Sequence, residues 1–195
     1  MYAVKQLFAI LLLGSVVLAQ TGLSPRVEKV VNAAVTQIGV TLYYDPAYTA
    51  LKYPMGDVSL ERGVCTDVII RAFRAVKIDL QQLVHQDMVR AFSAYPKLWG
   101  LTRPDSNIDH RRVPNLEVFM QRQGKQLRLS SNGLDYKAGD VVTWTLPSGR
   151  LHIGLVSYQL DASKQRPLLV HNIGAGTQLE DVLFAWKLRM RFRFF

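Results

Sequence analysis

The period of the hydrophobic pattern changes once along this 195-residue chain, close to Gly124. Before Gly124, apolar residues recur at intervals of three and four, which is the spacing of helices with one buried face. After Gly124, apolar and polar residues alternate, as they do in strands that are half-buried in a sheet. Helices followed by strands predict an α+β domain in which a helical layer packs on an antiparallel sheet.

Capping residues, prolines and glycines locate the elements within this pattern. They predict a helix that begins at Cys65 and further helices within 24–39, 79–96 and 114–124. Alternation predicts strands within 126–129, 140–146, 152–158, 168–173 and 187–195. In the last of these strands, Lys187, Arg189, Arg191 and Arg193 share one face, which we predict to be exposed to solvent.

The N-terminal residues differ from the rest of the chain. Residues 1–19 carry one positive charge, Lys5, followed by an apolar run that ends in small residues, which is typical of a secretory signal peptide. The run is too short to cross a bilayer comfortably, so no stable membrane insertion is expected after cleavage. The remaining chain, 24–195, is predicted to be a single domain that is exported to the periplasm or the extracellular space.

The composition is that of a globular protein with a basic surface. Hydrophobic residues make up 49% of the chain, and the formal net charge is +9. For an exported protein this charge favours peptidoglycan or another anionic cell-wall polymer as partner. Nucleic acid is not expected, because no nucleic-acid motif and no dense basic run is present. A basic surface that is merely solvated explains the charge equally well.

Cys65 is the only cysteine in the chain, and it stands where a loop becomes a buried helix. Unpaired backbone N–H groups at a helix N-terminus stabilise a thiolate, so the pKa of Cys65 is predicted to be lowered. An exported protein with one cysteine forms no intrachain disulfide and either pairs with another chain or keeps the thiol for chemistry. The alternative is a small, buried, apolar residue.

Two histidines at strand ends supply the other parts of a cysteine-based catalytic site. His152 opens one predicted strand and His171 ends the next. An imidazole must take and return the proton of the thiol, and a third polar group must fix the imidazole. Because successive strand residues point to opposite faces, only one of His171 and Asn172 faces His152, and we favour His171. Taken alone, each histidine favours a purely structural role over a catalytic one.

The loop 105–112 forms a second polar cluster. The candidates for binding a carboxylate or phosphate of a substrate are Asp109, His110, Arg111 and Arg112, since arginine offers a planar fork for oxyanions. The alternative is a loop that holds itself in place with local ion pairs. A metal site would draw on Cys65, His110, His152 and His171, but no known metal-ligand spacing is present, so neither a metal nor another cofactor is expected.

Two stretches of the second half resemble known enzymes. Residues 139–144 (GDVVTW) and 151–156 (LHIGLV) are similar to paired strands of NlpC-type domains, which are papain-like cysteine peptidases and amidases that cut peptidoglycan. The chain from Val30 onward resembles more closely a secreted bacterial family, domain of unknown function 1287, in residues 39–48, 63–68, 107–116 and 170–176.

The resemblance implies a papain-like fold and a role for each matching residue. Cys65 would be the nucleophile, His152 the general base and acid, and His171 the orienting residue. Tyr43 or Tyr44 would lie near the cysteine. The chain departs from the peptidase pattern at Val64, where the peptidases carry Asp, and at Thr66-Asp67, where they carry Ser-Gly.

These departures affect the predicted substrate subsites. An acid near the nucleophile often binds a substrate amine in the peptidases, and Asp67 or Asp45 would take that role here. The substrate-binding candidates are thus Tyr44, Asp45, Asp67 and Asn172, besides the loop residues above. The implied activity is that of a secreted cysteine amidase or endopeptidase on peptidoglycan, and the alternative is a non-catalytic papain-like module that binds cell-wall polymer.

Overall fold

The computed structural model describes residues 22–195. The predicted signal peptide, 1–19, lies outside the described residues. Within 22–195, no helix combines the length and the apolar character needed to cross a membrane.

Four α-helices precede the main sheet, which confirms the predicted α+β class. The helices are α1 (Pro25–Val35), α2 (Cys65–Arg74), α3 (Leu80–Ala91) and α4 (Val113–Arg122). Two short strands between α1 and α2, β1 (Tyr43–Tyr44) and β2 (Arg62–Gly63), pair in parallel. The remaining strands are β3 (Gln126–Leu127), β4 (Asp140–Thr145), β5 (Leu151–Leu160), β6 (Pro167–Asn172), β7 (Thr177–Glu180) and β8 (Lys187–Arg193). They form an antiparallel sheet in the order β3-β8-β4-β5-β6-β7.

The predicted N-capping residues of α1 and α3 accept hydrogen bonds from the first turn of each helix. The Ser24 hydroxyl accepts the Val27 N–H at 3.2 Å, and Pro25 follows at the first helical position. The Asp79 carboxylate accepts the Gln81 N–H at 3.1 Å before α3. These side chains satisfy backbone donors that have no partner within the helix.

The sheet is covered on both faces by apolar side chains. On one face, α1, α2 and α4 pack against the sheet around fully buried residues such as Ile69, Phe73 and Leu116. On the other face, a smaller cluster surrounds Trp144 and Leu183. Burial of each large side chain of this kind contributes about 1.5–3 kcal/mol to folding. The helical layer holds the start of α2 against the sheet, which positions Cys65.

The prediction of a solvent-exposed basic face on β8 is wrong at Arg191. This side chain is buried and lies 2.9 Å from the Asp140 carboxylate, which Arg193 also binds at 2.7 Å. The pairing of β8 with β4 shifts between Thr143 and Trp144, which breaks the strict alternation of faces. A buried carboxylate needs charged partners, and the sequence pattern of one strand does not show them.

Strand β7 was not predicted from the sequence. Its four residues follow a Gly-Ala-Gly turn, and this short segment carries too little alternation to be recognised. In the structure, β7 pairs with β6 and brings Glu180 next to His171.

Candidate functional site

Cys65 is the first residue of α2, as the sequence predicts, and it is 4% exposed. The helix start is fixed by Asp67, whose carboxylate accepts the Val64 N–H at 2.6 Å. The nearby Ile153 backbone N–H and Tyr44 hydroxyl both act to lower the pKa of the thiol. The thiol therefore lies between β1, the first turn of α2 and the start of β5.

The predicted lowering of the Cys65 pKa is wrong for this structure. Burial raises the pKa of the thiol to about 11, and the neighbouring Asp67 carboxylate adds to this. The Ile153 and Thr66 N–H groups favour the thiolate, but they do not outweigh the loss of water around the sulfur. At neutral pH, Cys65 is a thiol.

His152 and His171 form a direct pair. His152 Nε2 lies 2.9 Å from His171 Nδ1, and the two rings are nearly perpendicular at 80°. Both side chains are buried, so one nitrogen of the pair must donate and the other accept. His171 thus shares a face with His152. Asn172 instead donates its amide to the Gly63 carbonyl at 3.2 Å, toward β2.

Gly154 on β5 lets the side chains of Trp144 on β4 and His171 on β6 come close to its backbone. A Cβ atom at residue 154 would lie 3.3 Å from the His171 Cβ and 3.2 Å from the Trp144 ring, tighter than ordinary side-chain contacts. Close packing therefore explains why residue 154, two positions after His152, is a glycine. It lets Trp144 and His171 close over the strand that carries His152.

Two tryptophans shield the histidine pair. The Trp144 ring stacks on His152 with centroids 5.7 Å apart, and Trp186 lies edge-on to His152 and His171 at 5.5 and 5.9 Å. Burial lowers the pKa of His152 to about 3, and the adjacent His171 lowers it further. Burial also lowers the pKa of His171, against the opposing effect of Glu180. Both imidazoles are neutral at pH 7.

Glu180 lies next to His171, on the side of the ring away from His152. Its Oε2 lies 2.9 Å from His171 Nε2, although the direction of the ring N–H does not meet hydrogen-bond geometry, and His171 Nε2 has no other partner in residues 22–195. The carboxylate is 48% exposed and is therefore screened by water. Residues 152, 171 and 180 form a line from the sheet interior to its surface.

Cys65 lies near the backbone of β5 and not near the His152 ring. Ile153, whose N–H acts on the thiol, packs in the same helix-covered cluster as Cys65, whereas His152 packs against Trp144 on the other face of the sheet. Neither His152 nor His171 lines the cleft that opens at Cys65. Among the described residues, no hydrogen bond joins the sulfur to either ring, and none involves His152 Nδ1. The catalytic triad stays a prediction, with one imidazole nitrogen left unengaged.

A cleft of about 470 Å³ opens at Cys65. Its walls include Tyr44, Trp99 and three arginines, Arg111, Arg112 and Arg150. The residues of this region that were not predicted from the sequence are Trp144, Trp186, Glu180, Trp99 and Arg150. Arg150 could have been predicted to lie near the site, since it is two positions before His152 in the β4–β5 turn.

The predicted amine-binding acids are already paired. Arg111 binds Asp67 with both arms of its guanidinium, Nε to Oδ1 and Nη2 to Oδ2, each at 3.0 Å. Asp45 pairs with Arg62 at 3.2 Å. Neither carboxylate lines the cleft at Cys65.

The loop residues predicted to bind a substrate anion are largely buried. Asp109, His110 and Arg111 form a short 3₁₀ turn in which each residue is at most 6% exposed. Asp109 pairs with Arg112 at 3.3 Å, and the His110 ring does not reach the cleft. Asp109 thus pairs within the loop, as the alternative predicts, whereas Arg111 pairs with Asp67, 44 positions away. Within 22–195, no three His, Cys, Asp or Glu side chains converge to hold a metal ion.

Comparison with known proteins gives a family and a curated relative. Residues 31–194 match the family model described as a domain of unknown function, DUF1287. The chain is 56% identical over 166 residues to the uncharacterized protein YijF of Escherichia coli (strain K12), covering 85% of this chain and 80% of that protein.

A solved structure, that of NlpC1 from Trichomonas vaginalis, is similar over 90% of this chain and 46% of its own, with 12% identity and a TM-score of 0.47. The chain thus spans about half the length of that protein. The family model covers nearly all of the described residues, and the chain belongs to the DUF1287 family.

Proposed function

We propose that this protein is an exported cysteine hydrolase, an amidase or endopeptidase, that cleaves peptide or amide bonds in bacterial peptidoglycan. The observation that carries the proposal is the tryptophan-shielded pair His152–His171. His152 Nδ1 has no hydrogen bond within residues 22–195, and His152 directly precedes Ile153, whose N–H acts on the Cys65 thiol. The cell-wall substrate rests on the likeness of 139–144 and 151–156 to NlpC-type strands and on the basic charge of the chain.

The first half of the reaction forms a thioester. The Cys65 sulfur attacks the carbonyl carbon of the scissile amide while its proton passes to His152 Nδ1. We assign stabilisation of the oxyanion to the backbone N–H of Cys65, which has no partner within α2, with the Tyr44 hydroxyl as a second candidate donor. His152 then gives the proton to the leaving nitrogen, and the C–N bond breaks.

The second half restores the enzyme. His152 takes a proton from water, and the resulting hydroxide attacks the thioester carbonyl carbon. The C–S bond breaks, the carboxyl product leaves, and the sulfur recovers its proton from His152. His171 keeps the His152 ring oriented throughout, through the 2.9 Å contact between Nε2 and Nδ1.

In the resting site, the thiol and the imidazole are both neutral and do not form an ion pair. Burial disfavours the charged form of both groups. Proton transfer therefore accompanies the attack of the sulfur and does not precede substrate binding.

The second candidate function is a non-catalytic module that binds cell-wall polymer. The buried position and raised pKa of Cys65 favour it. It predicts that binding to the wall survives alkylation of Cys65, because the sulfur takes no part in binding.

The proposal is tested on purified sacculi. Wild-type protein is expected to release soluble muropeptide fragments, detected by liquid chromatography with mass spectrometry, and Cys65→Ala is expected to release none. Circular dichroism and thermal unfolding check that the variant is folded. Undiminished release by folded Cys65→Ala ends the hydrolase proposal, whereas tight wall binding without release by wild type supports the binding module.

A further inference from the structure

The cleft at Cys65 contains cations but no acid. None of the residues that line it is Asp or Glu. The carboxylate nearest to the cysteine in sequence, Asp67, is saturated by Arg111 and by the Val64 N–H. A substrate ammonium group would therefore find no partner of opposite charge in this cleft.

The three arginines of the cleft differ in how much of each guanidinium is already engaged. Arg111 binds Asp67 at two atoms and the Asp45 and Ala47 carbonyls with the others. Arg112 makes one contact, Nη1 to Asp109 at 3.3 Å, and its guanidinium lies 3.9 Å over the Trp99 ring. Two of its nitrogens, Nε and Nη2, thus lack a partner among the described residues.

Arg150 is the least engaged cation of the cleft. In residues 22–195 it makes no salt bridge and no side-chain hydrogen bond, and it is exposed at the turn before β5. Its positive charge acts on the Tyr44 hydroxyl, the group that also faces the Cys65 sulfur. Arg150 and Cys65 line the same cleft, so Arg150 is placed to contact the residue adjoining the bond under attack.

We infer that Arg150 and Arg112 bind a free carboxylate of the substrate beside the amide that Cys65 attacks, so that the substrate is an anionic peptide recognised by its carboxylate. The inference rests on the proposed function and names its substrate class. A planar guanidinium fork matches a carboxylate, and the Trp99 ring holds the Arg112 fork in one orientation.

The test measures binding separately from catalysis. Cys65→Ala protein is titrated by calorimetry with a synthetic peptidoglycan stem peptide and with the same peptide whose carboxylates are converted to carboxamides. We expect the carboxylate peptide to bind at least about tenfold more tightly, and Arg150→Gln in the same background to remove most of that difference. Arg128→Gln is the matched control, because Arg128 is exposed on the distant strand end after β3.

Equal binding of the two peptides, an unchanged preference in Arg150→Gln, or no detectable binding of the carboxylate peptide overturns the inference. None of these results depends on turnover. Activity retained by Cys65→Ala would remove the hydrolase proposal while leaving the measured preference between the peptides intact, so the two failures are distinguishable.

Discussion

Two buried polar pairs, Asp67–Arg111 and His152–His171, differ in how completely their hydrogen-bonding groups are used. In the pair Asp67–Arg111, both carboxylate oxygens and both arms of the guanidinium are engaged, and Asp67 also holds the Val64 N–H. In the pair His152–His171, one contact joins the rings, and His171 Nε2 lacks a hydrogen bond.

The difference separates a structural pair from a reactive one. A saturated ion pair fixes the start of α2 and has no capacity left for a ligand. The neutral imidazoles retain nitrogens that take or give a proton. Buried polar groups are nearly always hydrogen-bonded, so His171 Nε2, which among the described residues meets only the Glu180 carboxylate, marks the imidazole pair as a candidate for function.

If the imidazole pair is the reactive one, the largest loss of activity is expected from a substitution of His152. His152→Ala is expected to lower the rate of muropeptide release by about 10²–10⁴-fold, because a positioned general base contributes about that much. His85→Ala is the control, since His85 lies on α3 and packs against Tyr53. Initial rates on sacculi measure both. Equal losses in the two variants would contradict a catalytic role for His152.

The ion pair is expected to show its effect in stability instead. Asp67→Asn leaves the Arg111 guanidinium buried without an anion, which costs about 3–5 kcal/mol of unfolding free energy. Urea unfolding measures the loss. The control is Asp181→Asn, which breaks an exposed pair with Arg166 and should cost at most about 1 kcal/mol. Similar losses in the two variants would show that the buried pair has no special structural role.

Acid is expected to destabilise the imidazole pair. Burial lowers the pKa of His152 to about 3 in the folded protein, whereas an unfolded histidine has an ordinary pKa of about 6.5. Between these values the unfolded chain binds the additional proton, so stability falls as pH decreases, by up to about 1.4 kcal/mol per pH unit.

His152→Gln should therefore show a shallower loss of unfolding free energy than wild type between pH 6 and pH 4.5. Urea unfolding at several pH values gives both curves. Parallel curves would mean that His152 titrates alike in the folded and unfolded chains.

The smallest effect is expected at Glu180. Glu180→Gln removes a charge that acts on His171 from a half-exposed position, so we expect a rate loss of roughly two- to tenfold and an altered pH profile. Glu28→Gln, on the exposed side of α1, is the matched control. An unchanged rate and pH profile would leave Glu180 without a positioning role.

Local signals predicted the framework of the site well. Capping residues located α1 and α3, and the change of period separated helices from strands. The loop-to-helix transition placed Cys65 at the first turn of α2. These features depend on residues close together in the chain, which sequence patterns describe directly.

The electrostatics of the site depended on distant residues and were not predictable. Asp67 and Arg111 are 44 positions apart, and neither spacing nor charge pattern pairs them. The pKa of Cys65 was predicted with the wrong sign, because the helix N-terminus is visible in the sequence and the burial of the sulfur is not. Glu180 was missed because β7 is too short to recognise.

The formation of a thioester on Cys65 tests the account most directly. Wild-type protein is mixed with excess muropeptide, quenched rapidly with acid and weighed intact by mass spectrometry. We expect a species heavier by the acyl moiety, mapped to the single cysteine and absent from Cys65→Ala. Release of fragments by wild type without any adduct, together with equal release by Cys65→Ala, would contradict the account.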